Sequence, residues 1–173
     1  MRGRGLQSAW GRALTTMLVL GVMLMIFLFS TEPAEKSDIT SGRVAERVAS
    51  MVRPDWRRME PRTRKAFYDR IQHVVRKCAH FTEFALLGAS LRLCLESWLG
   101  RKRICSLTAW AAATGYAALD ESHQLLVDGR SGQWRDVTID SAGVLTGILL
   151  TVGVLALLRR QSKIRKHQKQ EPV

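Results

Sequence analysis

Lys77, His80 and Glu83 recur at three-residue intervals, Asp120, Glu121 and Gln124 form a second polar group, and Asp136 and Asp140 a third, with Arg130 in the segment between the last two. A histidine beside a carboxylate has the makings of a general base, a set of carboxylates suits a divalent cation, and Lys or Arg suits an anionic group. Five carboxylates (Glu83, Asp120, Glu121, Asp136, Asp140) face Lys77 and Arg130, a surplus to be balanced by protonation, a divalent cation or a cationic ligand group. No G-x-S-x-G, H-E-x-x-H or phosphate-loop pattern accompanies them, so no particular reaction is indicated. No cofactor is predicted, and a divalent metal has no motif behind it. Cys78, Cys94 and Cys105 lack C-x-x-C spacing and lie in or beside apolar helices, where packing is their default role.

The elements that must position these residues are long and apolar. Stretches 13–31, 104–119 and 141–158 carry no charge at all, while 27 Lys+Arg and 15 Asp+Glu crowd into the rest of the 173 residues. Segregation of that kind predicts membrane spans between basic flanks, although a mean hydropathy of −0.06 resembles a soluble protein. Ala13–Ser30, 18 residues or about 27 Å of helix, follows Arg12, and Phe29-Ser30-Thr31-Glu32-Pro33 offers no small-x-small cleavage site. An uncleaved first span over 13–30 is therefore expected. Three more are expected at about 78–99, 104–123 and 137–158, the third carrying Asp120 and Glu121 partly into the membrane. Arg92 and Glu96, near the end of the second, read as an i,i+4 pair that snorkels beside Trp98. The fold class predicted is all-α: a four-span transmembrane helical bundle with short amphipathic interfacial helices.

Orientation follows Lys and Arg in short segments. The 1–12 terminus has three, the 100–103 turn three and the 159–169 tail six, with almost no acids among them. These segments are predicted to be cytoplasmic, with both termini inside. The 31–76 segment is then an outer loop; extended to Lys77 it holds twelve basic and seven acidic residues. Within it, Val44, Val48, Met51 and Val52, stopped by Pro54, and Phe67, Ile71, Val74 and Val75 follow helical periodicity. Thr40 or Ser41 is the N-cap candidate for the first. Such helices fit a membrane interface or a packed cap on the bundle. The 159–173 tail is expected to meet anionic inner-leaflet lipid.

Topology gives the polar groups their meaning. Lys77, His80 and Glu83 open the second span, Asp120, Glu121 and Gln124 close the third, and Asp136 and Asp140 open the fourth, so all arrive within about two turns of the outer interface. On the fourth helix Asp136, Asp140, Gly143 and Gly147 share an arc of about 60°, and the two glycines admit a neighbouring backbone. Ionisable groups in a bilayer cost about 2.5–3.5 kcal/mol each on the insertion scale, so they face the bundle interior and seek partners. Three readings stay open: an ionic lock joining three helices, a site for a lipid headgroup or envelope precursor, and a catalytic or metal-assisted site such as a lipid phosphatase or transferase. The segment 125–136, with a D-G turn, would let Arg130 fold back over the carboxylates. A net charge of +12 and a pI near 10.6 also fit nucleic acid, but the charge sits in membrane-flanking segments, and no nucleic-acid partner is predicted. The composition, with 13 Gly and 3 Cys, excludes a collagenous chain and a disulfide scaffold.

At these residues the chain resembles the VanZ-like family of bacterial integral membrane proteins. The matching blocks are Lys77-x-x-His80-Phe81-x-Glu83-Phe84, Leu119-Asp120-Glu121-x-His123-Gln124, Gly129-Arg130-Ser131 and Asp136-Val137-x-x-x-Asp140-x-x-Gly143-x-x-x-Gly147. The run Ile26–Pro33 with Ser37 and Ser41 is similar to the end of that family's first helix, and the resemblance covers about residues 20–158. Asp140 stands where the family often has Asn, and Glu32 where Gln is common. The resemblance implies a bacterial cell membrane location and a cell-envelope role, with membrane lipids as partners. A lipid-linked cell-wall precursor or a lipoglycopeptide such as teicoplanin, low-level resistance to which is linked to the protein the family is named after, is the ligand class it implies. No established reaction comes with it.

Overall fold

The computed structural model describes residues 6–100, 103–130 and 132–168. Those residues are helical almost throughout, with no strand among them, in five helices: α1 Ala9–Ser30, α2 Ala34–Val52, α3 Pro61–Leu99, α4 Ile104–Gln124 and α5 Trp134–Gln168. A 3₁₀ turn at Trp56–Arg58 joins α2 to α3. Several residues used above to read the flanks and the loop, namely Arg2, Arg4, Arg101, Lys102, Ser131 and Lys169, lie outside the described residues.

Local chemistry sets the ends. The Ser8 side chain accepts the Gly11 N–H at 3.1 Å to start α1. Pro61 occupies the opening of α3, and the Glu60 carboxylate accepts the N–H groups of Thr63 and Arg62, both at 3.1 Å. Those two donors hold the Glu60 carboxyl below its ordinary value. Gly100, with φ 76°, ends the helix in a backbone conformation that side chains other than glycine's resist. With no breaker in between, the amphipathic 67–75 pattern and the apolar span at 78–99 are one helix of 39 residues, about 58 Å long.

Among the described residues three helices are long and apolar enough to cross a membrane: α1, α3 and α5 as far as Arg165. α4 is not among them, although sequence reading expects four spans. It is built largely from Ala, Thr, Gly and aromatic residues and carries Asp120-Glu121 in its last two turns, which thins its apolar character. Its Ala109, Ala113 and Ala117 are fully buried in the core with Val19 and Ile26 of α1, Phe84 and Leu87 of α3, and Val144 and Ile148 of α5.

α3 and α5 make the closest seam. A Cβ on Gly143 would overlap the Phe81 carbonyl, one on Gly147 the Ala85 carbonyl, and one on Gly88 the Val144 backbone. Glycine here removes the side chains that would hold the helices apart.

α2 folds back along the first half of α3. Gln72 Nε2 donates to the Asp38 carbonyl at 3.1 Å and Ser41 Oγ at 3.2 Å, Arg76 pairs with Asp38, and Trp56 stacks on Tyr68 at 5.8 Å. The stripe that packs is Gly42, Ala45 and Ala49, while Val44, Met51 and Val52 stay exposed. Small residues win this contact because they admit the closest backbone approach. The helix also starts at Ala34, behind Pro33, so Thr40 and Ser41 are interior positions whose hydroxyls bond back to Lys36 and Asp38 carbonyls.

Candidate functional site

Two polar layers sit at opposite ends of the bundle, His80 and Glu96 being about 24 Å apart along α3. The first gathers the three polar groups of the sequence together with Arg130. Lys77 on α3 forms an ion pair with Asp136 in the opening turn of α5. Asp120 accepts from Gln124 Nε2 at 3.0 Å, and Glu121 Oε2 accepts the Gln133 N–H at 2.9 Å, tying the end of α4 to the start of α5. His80 Nδ1 lies 4.0 Å from Glu83 Oε2, beyond hydrogen-bond reach. Among the described residues no three His, Cys, Asp or Glu side chains gather closely enough to hold a metal ion.

Arg130 folds back to this layer, lining cavities with Glu83 and Asp136, and its hydrogen bonds go to carbonyl oxygens rather than to a carboxylate. Its Nε donates to the Glu32 carbonyl and its Nη2 to the Phe29 carbonyl, both at 3.0 Å, and Nη1 reaches Gln124 Oε1 at 3.5 Å. The last carbonyls of a helix have no partner within it, and α1 presents them to a guanidinium held nearby. Gly129 makes the reach possible: at φ 73° it turns the chain beside Ala34, and the Asp128 carbonyl accepts the Ala34 N–H at 3.3 Å.

Charge within this layer is sorted by depth. Asp120, Glu121 and Asp140 are buried in the bundle, whereas Arg76, Lys77 and Arg130 line cavities at its mouth. Arg76 is not among the residues that sequence pattern singles out, yet Arg76, His80 and Glu83 follow i, i+4, i+7 spacing, a tighter stripe than the one starting at Lys77. Two cavities share Arg76, His80 and Arg130 as a common wall. One, of about 240 Å³, also meets Phe29, Val44, Val75, Ala79 and Glu83 between α1, α2 and α3. The other, of about 130 Å³, adds His73, Lys77, Gln124 and Asp136 and is mostly polar.

Asp140 is the least satisfied member. It is 1% exposed, and neither carboxylate oxygen has a hydrogen-bond partner among the described residues. An unpaired buried acid costs more than a neutral amide of the same shape. Asp140→Asn is therefore expected to stabilise the bundle by roughly 1 kcal/mol, at the low end of the cost of a buried unsatisfied polar group. Thermal unfolding in detergent should show the rise, and a lower midpoint would mean that Asp140 has a partner in the native protein.

The second layer corrects the snorkelling pair expected from the sequence. Arg92 and Glu96 are 5% exposed each and 2.8 Å apart, with Arg92 Nε donating to Ser106 Oγ at 3.0 Å and Glu96 also paired to Arg159 on α5. The arginine turns inward because a carboxylate and a hydroxyl await it there.

The sequence profile described as VanZ/LLP1 matches residues 15–158. No curated protein and no solved structure matches the chain. The matched range spans the first polar layer, the Arg92–Glu96 pair of the second, both cavities and the glycine seam, and with three helices fit to cross a membrane the chain is a multi-pass membrane protein belonging to the VanZ/LLP1 family.

Proposed function

We propose that this protein binds the polar head of an amphiphile at the outer leaflet of a bacterial cell membrane, in a cell-envelope role. Lipid, lipid-linked cell-wall precursor and lipoglycopeptide are the ligand classes in view. In this reading α4 also spans, at 21 residues and about 31 Å, and both termini are cytoplasmic. The observation that carries it is the cavity of about 240 Å³, which sets Phe29, Val44, Val75 and Ala79 against Arg76, His80, Glu83 and Arg130. A concave site with one apolar and one charged wall suits a molecule with both characters.

Ala79→Trp would fill that cavity without touching a charge. Mass spectrometry of the purified protein is expected to find an amphiphile near one per chain in the wild type and at least tenfold less in the variant, at similar thermal stability. Equal retention would sink the reading. Orientation is checked separately on a Cys78→Ser background, since Cys78 is exposed: Asp128→Cys should react with an impermeant thiol reagent in intact cells and Arg160→Cys should not.

A non-catalytic ionic lock is the second reading, supported by Lys77–Asp136 and by Arg130 clasping the end of α1. It requires Ala79→Trp to change nothing but stability.

A further inference from the structure

We propose that the paired cavities take a phosphate-bearing lipid, its phosphate in the smaller pocket and the first part of its chain in the larger one beneath α2. This rests on the amphiphile reading and adds the ligand class. The smaller pocket is lined by the cations Arg76, Lys77 and Arg130 against one carboxylate, Asp136, with His73 and His80 beside them. Of the remaining carboxylates of the layer, Asp120, Glu121 and Asp140 are 5, 6 and 1% exposed, and Glu83 lines the larger cavity rather than this one. An arriving group therefore meets net positive charge.

Size agrees with this class. At about 130 Å³ the smaller pocket has room for a tetrahedral anion and its oxygens. A donor is in place as well. Arg76 Nε is buried with no hydrogen-bond partner among the described residues. A guanidinium is a fitting phosphate partner, with several N–H donors in a fixed fork.

The lipid source, over free phosphate, follows from the shared wall. Phe29, Val44, Val75 and Ala79 begin where the cations end. α2 closes this chamber, and its latch is Asp38, which pairs with Arg76 and accepts from Gln72 through its carbonyl. A phosphate would take the place of the Asp38 carboxylate on Arg76, so ligand binding and the closure of α2 compete for one guanidinium.

The test is a binding titration on the full-length protein in detergent by native mass spectrometry. The probes are phosphatidic acid, a glucosyl diacylglycerol with the same chains, and inorganic phosphate. Phosphatidic acid is expected to bind at least tenfold more tightly than the neutral glycolipid, with inorganic phosphate displacing it only at concentrations at least 100-fold higher. Arg76→Gln should lose at least tenfold in affinity. Asp38→Asn, which breaks the same ion pair but keeps the cation, should bind as tightly as the wild type or better, and Arg57→Gln should bind unchanged.

Equal losses in Arg76→Gln and Asp38→Asn would assign Arg76 a purely structural role and overturn the proposal. Glycolipid binding as tight as phosphatidic acid would overturn the phosphate assignment while the amphiphile reading stood. Inorganic phosphate binding as tightly as the lipid would overturn the lipid source. Failure of every probe, with no amphiphile retained on purification, would remove both readings.

Discussion

Gly147→Leu is expected to yield no folded bundle, whereas Gly153→Leu, six residues further along the same helix, is expected to be tolerated. A Cβ at Gly147 falls onto the Ala85 carbonyl across the α3–α5 seam, while at Gly153 nothing lies within 4 Å. Overpacking usually costs 1–3 kcal/mol because side chains and backbone shift to make room. Here the obstruction is backbone held in its own helix, with Gly143 on Phe81 and Gly88 on Val144 continuing the same seam. A cost of about 3 kcal/mol or more is expected, at or beyond the top of that range. Gly153→Leu adds an apolar side chain to an open face and should stay within about 0.5 kcal/mol of wild type. Size-exclusion profiles and thermal midpoints in detergent read both. A folded, monodisperse Gly147→Leu protein would mean that the helices are not in contact along this line.

Glu96→Ala is expected to cost about 3–5 kcal/mol, the range for removing one partner of a buried ion pair. Glu96 is the carboxylate that both Arg92 and Arg159 face, and without it two guanidinium groups share one region of the bundle with Ser106 alone to receive a hydrogen bond. The comparison is Glu46→Ala. Its partner Arg57 lies 3.6 Å away with both side chains more than half exposed, and an exposed pair contributes about 0–1 kcal/mol. Charge is the cause if Arg92→Met added to Glu96→Ala restores much of the loss. A double variant no better than the single would trace the cost to lost packing instead.

Helices and their polar ends were legible in the sequence because charge and apolarity alternate along this chain in blocks of span length. Lys77, Glu121 and Asp136 could be assigned to one end by counting crossings, without knowing any contact. Partners were less accessible. Arg130 reaches back 98 positions to the Glu32 carbonyl, and a backbone acceptor leaves no mark in the residue types. Arg159 finds Glu96 across 63 positions, which pairing at i,i+4 does not anticipate. The packing face of α2 was hidden for a related reason. Val44, Met51 and Val52 carry the periodic signal, but Gly42, Ala45 and Ala49 make the contact, and small residues register weakly on any apolar scale. α4 repeats the lesson, since its buried face is a row of alanines.

The polar layer and the cavities beside it have so far been joined by geometry alone. The most direct measurement is photo-crosslinking in intact cells with p-benzoyl-phenylalanine in place of Val44, which lines the larger cavity, and separately in place of Leu149, an exposed position on α5. At Val44 a single dominant amphiphile adduct is predicted, lost when Ala79→Trp is introduced, whereas Leu149 should capture the bulk lipid mixture. Identical adduct profiles at the two positions, unchanged by Ala79→Trp, would contradict the account.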